Sequence, residues 1–391
     1  MNPLPYDLID ADNHYYEARD AFTRHMPASK QHLAVREEGH GITVGARPFT
    51  FLRHNYDRVN RPGALREMLR TLKSTDVKEA GSAEQDVQPE YVNRDARLTR
   101  MDAQGVEAAM LFPTLAVCVE HFMKDDPDQL YANLEAFNRW LDEDWGYAHL
   151  DRIFAAPLVS LLDVDRAVAE LDRVLALGAR VVSLRPGPAY GRSPADPHFD
   201  QFWARVNEAG VVVGLHIGES GYNEHFSTAW GENANPPSHE QSAFQWTCFY
   251  GDRPIMETIA AFVLHNLFGR FPNVRIASVE NGSLWVPYLM GALDKMKGMG
   301  RNGPWLGGYV EGRPSEVVKR NVFVSPYHEE DIPALARLLG PTQVLFGSDF
   351  PHPEGLAEPA DFVDGLAGLD DADIRLIMRD NTRTLLGLGS H

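Results

Sequence analysis

The sequence predicts an α/β protein, a (βα)8 TIM barrel with long loop insertions at its C-terminal mouth. Short β-branched runs alternate with amphipathic helical patterns, and eight such runs are present. Metal-ligating residue types recur where the runs end, which is where barrel enzymes place their chemistry. A doubly wound sheet would alternate in the same way, but no glycine-rich phosphate loop follows the first run, and the barrel is favoured.

The first strand, Asp7–Ala11, runs directly into Asp12-Asn13-His14. Asp10, Asp12 and His14 stand at i, i+2 and i+4, so an extended strand points all three to one side. Carboxylates buried there without compensation cost on the order of several kcal/mol each, which makes a cation their natural partner. In the plainer reading one aspartate caps the next segment and the histidine is hydrogen-bonded. Arg24–Arg97, rich in Gly, Pro and scattered charge, fits no element and reads as an excursion over the mouth. Within it Lys73–Val87 is charged and weakly apolar.

The second strand is Ala108–Phe112, followed by helix Leu130–Trp145, whose Phe137, Trp140 and Trp145, with Tyr147 beyond, read as packing. Ile153–Leu158 and helix Asp165–Leu177 come next. Val181–Arg185 ends in a guanidinium that can clamp a substrate carboxylate bidentately or pair with a surplus acid. After helix Phe199–Ala209, the apolar strand Val211–His216 finishes in a potential ligand, although a lone histidine there is often a satisfied core residue. Gly218–Arg253 is a second excursion, and its His225 and His239 are loop histidines, which usually have no such role. Helix Ile255–Phe268 carries His265, readable as a packing residue or as a further ligand.

Val274–Val279 leads to Glu280, helix Leu284–Lys297 to strand Val322–Ser325, and helix Glu329–Leu339 to Val344–Ser348. Asp349 closes the eighth strand. An aspartate there commonly caps a helix, but Phe350-Pro351-His352-Pro353 delays any helix, and His352 is placed to orient substrate. Pro359–Leu366 and Asp371–Leu386 complete the helical set. Asp12, His14, His216 and Asp349 thus come from strands one, five and eight and can converge only on the barrel axis.

The whole chain, 1–391, reads as one domain with insertions at about 24–97 and 218–253. At 44% hydrophobic and 24% charged it can bury a large core. A formal charge of -18 has the wrong sign for phosphate backbones or anionic lipid, so the expected partner is a small-molecule substrate, with no nucleic acid and no membrane. Cys118 and Cys248 form neither a disulfide framework nor a zinc knuckle and read as reduced thiols. Met1–His14 is not a basic-then-apolar leader, and no apolar run approaches the about 18 residues of a membrane span, so the expected compartment is the cytoplasm.

The chain resembles the amidohydrolase superfamily, more closely its amidohydrolase-related (ACMSD-like) family. The residues that carry the resemblance are Ile9 through Glu17, Gly214-Leu215-His216-Ile217-Gly218, Phe271-Pro272-Asn273-Val274-Arg275, Trp285-Val286-Pro287-Tyr288-Leu289 and Phe346 through Pro353. The resemblance implies a barrel holding a divalent metal through Asp12, His14, His216 and Asp349. It also implies a homodimer or pairing with a homologous subunit.

Two departures bear on mechanism. The first-strand motif of the family is frequently His-x-His, whereas Asp12 stands first here, so a harder ligand set suits iron or manganese as readily as zinc. In strand six, where the family's non-oxidative decarboxylases carry histidine, this chain has Glu280. With His265 as a further ligand, and Glu17 able to contribute a fourth carboxylate, the set resembles more loosely the dinuclear nonheme iron or iron-manganese monooxygenases of the isobutyrate hydroxylase type. The leading expectation is therefore hydroxylation of a small carboxylic acid or acyl thioester, with Asp349, Glu280 and His265 catalytic and Arg185 and His352 binding substrate. The alternatives are a mononuclear hydrolase of amides, esters or lactones, a non-oxidative decarboxylase, and an inactive barrel serving as a partner subunit.

Overall fold

The computed structural model describes residues 4–39, 41–73 and 83–389. We number the barrel strands alone. They are β1 (Leu8–Tyr15), β2 (Val106–Pro113), β3 (Ile153–Ala155 continued by Leu158–Val159), β4 (Val181–Leu184), β5 (Val212–His216), β6 (Arg275–Val279) and β7 (Val322–Val324). All neighbouring pairs among them are parallel. The two halves of β3 are separated at Ala156-Pro157, yet the ladder continues across the gap: Ala156 N donates to Leu111 O at 2.9 Å and Ser183 N to Pro157 O at 2.8 Å.

Segment 344–350 serves as β8 and closes the ring. It bridges β7 at Val344 and β1 at Phe350. Leu345 N donates to Val324 O at 2.9 Å on one side, while Ala11 N donates to Phe346 O at 2.9 Å on the other. The protein is therefore a (βα)8 barrel, as the alternation of elements predicts.

Side-chain alternation along these strands makes two cores. Ile9, Ala11, Met110, Phe112, Phe154, Val212, Ala277 and Leu345 fill the barrel interior with their neighbours. The opposite residues, such as Leu8, Ala109, Leu111, Val213 and Ile276, pack outward against the helices. Phe137, Trp140, Trp145 and Tyr147 belong to that outer core, as packing residues.

The excursion after β1 is more ordered than its composition suggests. It contains a three-stranded antiparallel sheet (Val35–Glu38, Gly41–Val44, Arg47–Phe49), a ribbon of Arg58–Asn60 with Glu84–Asp86, and helix Leu65–Lys73. These strands are too short, and too exposed on one face, to show a clear apolar period. Of Lys73–Val87, residues 74–82 lie outside the described residues. A helix at Arg94–Gln104 returns the chain to β2, with Asn93 capping its start and Gly105 ending it at φ 69°. Pro359–Leu366 is 3-10 helix where an α-helix was expected, and the last helix is interrupted by a π-turn at Leu376–Asp380. Among the described residues, no helix is long and apolar enough to cross a membrane.

Candidate metal centre

The expectation that Asp10, Asp12 and His14 share one face fails because the β1–β2 register slips between Asp10 and Asn13. Asp10 faces β8 and is saturated there. It accepts from Ser348 Oγ at 2.5 Å, Ser348 N at 3.0 Å, Asp12 N at 3.0 Å and Asn13 Nδ2 at 3.0 Å. The Asn13 amide in turn accepts from the fully buried Arg97, so a single amide joins a buried cation to a buried acid. Burial pushes the Asp10 pKa up to about 7 against these four donors.

Asp12, His14, His216 and Glu280 converge, each offering one ligand atom within 4.8 Å of the others. His14 Nε2 lies 3.2 Å from Asp12 Oδ1, 3.6 Å from Glu280 Oε2 and 3.4 Å from Asp349 Oδ1. His216 Nε2 lies 3.0 Å from Glu280 Oε2 and 3.1 Å from His14 Nε2. A second group, His14, Glu280, Asp349 and His352, meets the same distance and shares two members with the first. Gly347 permits the approach of β1 to β8, since a Cβ there would meet Asp12 Cβ at 2.5 Å.

Three observations make this a donor set for a divalent cation. His216 Nδ1 is 2.7 Å from the carbonyl of Ile217, to which it donates, so Nε2 is the ring nitrogen left facing the cluster. Asp12 Oδ1 is buried and accepts no hydrogen bond. Glu280, just past β6, and Asp349, in the last turn of segment 344–350, are non-glycine residues held at φ 53° and 54°. Such backbone costs of order 1–3 kcal/mol and is concentrated at functional sites.

The electrostatics agree. Burial raises the Asp12 pKa, but His14 and His216 outweigh it and hold the carboxyl below the usual range. Burial, with His352 beside it, holds His14 neutral. Burial also opposes a charged His216, yet Asp12 and Glu280 lift it to about 10, which measures how strongly these carboxylates attract positive charge. Burial pushes Glu280 up to about 7.

His352 adds a proton-handling pair beside the cluster. Its Nδ1 is 2.7 Å from Asp349 Oδ1 and its Nε2 is 2.9 Å from Thr114 Oγ1. The Thr114 hydroxyl donates to Tyr15 O at 2.8 Å, so it can only accept from His352 Nε2–H. One further proton must then lie between His352 Nδ1 and Asp349. Burial raises the Asp349 pKa well above the carboxylate range, and Glu280 and Glu354 reinforce it. Sequence reasoning passed over Thr114, because a lone threonine after a strand carries no motif.

Two expected site residues lie elsewhere. His265 is not brought to the cluster; it caps helix Asp252–Leu264 and its Nδ1 is 2.8 Å from Ser193 Oγ. Arg185 is engaged by the protein, not open toward substrate: Nη1 donates to Ser220 O at 3.0 Å, Nη2 to Pro188 O at 2.9 Å, and Nε lies 3.6 Å from Glu120. Glu17 accepts from Leu115 N and Ala116 N, both at 2.9 Å, and fastens the loop after β2. Neither His225 nor His239 belongs to either donor group.

The comparisons concur with the fold. No curated protein matches this chain significantly. The chain is similar, at 40% identity over 98% of its length and 100% of the other's, to an amidohydrolase of Mycobacterium avium subsp. paratuberculosis K-10, with a TM-score of 0.86. It shares its fold with a 2,6-dihydroxybenzoate decarboxylase from Rhizobium (17% identity, 98% and 99% covered, TM-score 0.60). The same holds for a 5-carboxyvanillate decarboxylase from Novosphingobium aromaticivorans complexed with manganese (14% identity, 99% and 98% covered, TM-score 0.62). The family model described as Amidohydrolase matches residues 9–388, so the chain belongs to the amidohydrolase family.

Proposed function

We propose that this chain is a hydrolase that uses one divalent ion to cleave an amide, ester or lactone. The observation that carries the reading is the convergence of two imidazole nitrogens and two carboxylates on one point, beside the Asp349–His352 pair. A bound divalent ion there supplies Lewis acidity, lowering the pKa of water and polarising a carbonyl. Asp12, His14, His216 and Glu280 would hold it. With the shared proton resting on His352, which is buried and anchored on Thr114, Asp349 would be the carboxylate that accepts a proton from the attacking water and returns it to the leaving group. The relative at 40% identity, itself described as an amidohydrolase, supports the same chemistry.

The dinuclear oxygenase reading has less support. His265, the further ligand it was expected to use, lies against Ser193, and the second donor group adds only Asp349 and His352, which are bonded to each other. Decarboxylation lacks the strand-six histidine, whose place Glu280 occupies. Elemental analysis of protein purified without added metal or chelator tests the proposal, with about one equivalent of divalent metal per chain expected. The Glu280→Ala variant should weaken retention of that ion. Two equivalents of iron, or iron plus manganese, together with oxygen uptake would replace hydrolysis by oxygenation.

A further inference from the structure

The helix Trp285–Met299, between β6 and β7, is apolar on both of its sides. Trp285, Val286, Leu289, Met290 and Leu293 pack it onto the outer core. The opposite side turns Leu284 (73% exposed), Tyr288 (69%), Met296 (48%) and Met299 (76%) to solvent. With 3.6 residues per turn, these four fall within about 120° of one another around the axis. At the middle of the stripe stand Gly291 and Ala292, and a Cβ at Gly291 would meet nothing within 4 Å. Exposed apolar residues scattered singly are ordinary, but a continuous stripe along a helix marks a surface that something covers.

The face is also nearly free of charge, in a chain whose formal charge is -18. Lys295 is its one charged residue. The neighbouring charges turn to the flanks and are occupied there: Asp294 accepts from Ser315 N at 2.9 Å, and Lys297 Nζ donates to Gly312 O at 2.6 Å. At its N-terminal end the face meets Tyr327, which is exposed; a Cβ at Gly282 would meet the Tyr327 ring at 2.8 Å, and its hydroxyl donates to Glu280 O at 2.8 Å.

Taking about 200 Å² for a fully exposed side chain of this size, Tyr327 and the four helix residues present on the order of 600 Å². That is most of the about 800 Å² that each partner gives to a standard interface. The pattern is also self-complementary. A twofold axis between Gly291 and Ala292 runs a second such helix antiparallel to the first and sets Leu284 opposite the partner's Met299. The same operation sets Lys295 opposite the partner's Tyr288, so the one charged group of the face gains an aromatic ring. Only small residues lie at the crossing, which lets the two helices approach closely. No acid on this face meets another across the axis.

We propose that a second copy of this chain docks on the exposed side of helix Trp285–Met299, about a twofold axis at Gly291 and Ala292. The contact adjoins the turn that carries Glu280, because the face begins four residues beyond it. It holds whatever bond the metal centre cleaves.

The test uses the full chain and analytical ultracentrifugation. The wild type should sediment at twice the chain mass at micromolar concentration. Gly291→Arg, whose side chain has open space in one copy and sets two guanidinium groups across the axis, should weaken the dimer about a hundredfold. Leu177→Arg, at an exposed apolar residue away from this helix, should leave it unchanged. Leu284→Cys combined with Met299→Cys, in a Cys248→Ser background, should give a covalent dimer on oxidation with copper-phenanthroline. A wild type that stays monomeric at every concentration overturns the proposal. So does a dimer that survives Gly291→Arg and forms no crosslink, since another face then makes it. A monomer that binds phosphatidylcholine vesicles, and loses that binding in Gly291→Arg, assigns the face to lipid and overturns it too. If Gly291→Arg loses its helical circular dichroism, the crosslink decides alone.

Discussion

Replacing Glu17 with glutamine should make the protein more stable at alkaline pH and leave it nearly unchanged in mild acid. The carboxyl is fully enclosed; one oxygen takes two backbone N–H groups, while the other is buried without a partner. Burial therefore outweighs the donors and raises the pKa from 4.5 to about 7. A folded-state pKa above the unfolded one means that the native protein binds the extra proton. Its contribution is fully present below about pH 4.5 and is lost as pH rises through about 7. With about 1.4 kcal/mol per pKa unit, the wild type should lose roughly 2 to 3 kcal/mol through this group between pH 5 and pH 8. Glutamine preserves the acceptor and carries no charge, so the variant lacks that loss. Urea unfolding of both proteins at pH 5, 6, 7 and 8, with chelator present throughout, measures the difference directly. A wild-type-minus-variant gap that stays constant across this range would show that Glu17 is already neutral, or is solvated in a way the geometry hides.

The remaining predictions concern residues around the site. His265→Ala should leave metal content unchanged by elemental analysis, since its ring contacts Ser193. Arg185→Lys should lower stability by about 1–3 kcal/mol in urea titration, because an ammonium cannot reach the Ser220 and Pro188 carbonyls as the fork does. Thr114→Val should cost about 1–3 kcal/mol by leaving His352 Nε2–H and the Tyr15 carbonyl unpaired, and should reduce kcat more than KM; Thr114→Ser should recover most of both.

The barrel was legible because parallel strands buried on both faces read as apolar runs, and all eight lie where the runs do. The cluster was legible for the same geometric reason: a strand end in a closed ring has one place to point. Asp10 was misread because a one-residue slip in β1 reverses the facing of the residues beyond it, and a bulge leaves no mark in residue types. Arg185 and His265 were each left between two readings, because the partners that decide them, Glu120 with the Ser220 carbonyl and the Ser193 hydroxyl, belong to loops whose course no periodicity specifies. The helix Arg94–Gln104 could have been found from Asn93 and Gly105, which stand at its two ends as start and stop signals.

The seam between the first and last strands also sets when this protein can acquire its ion. Asp10 and Ser348 are 338 positions apart, and Asp349 waits for the same closure. On a ribosome adding about 10 residues per second, Asp12 and His14 emerge roughly half a minute before the strand that completes their surroundings. Until then they are two side chains on a tethered, unfinished chain, with weak hold on any metal. Assembly of the site is thus a late event, because the closing strand both packs against Asp12 and brings Asp349 beside His14.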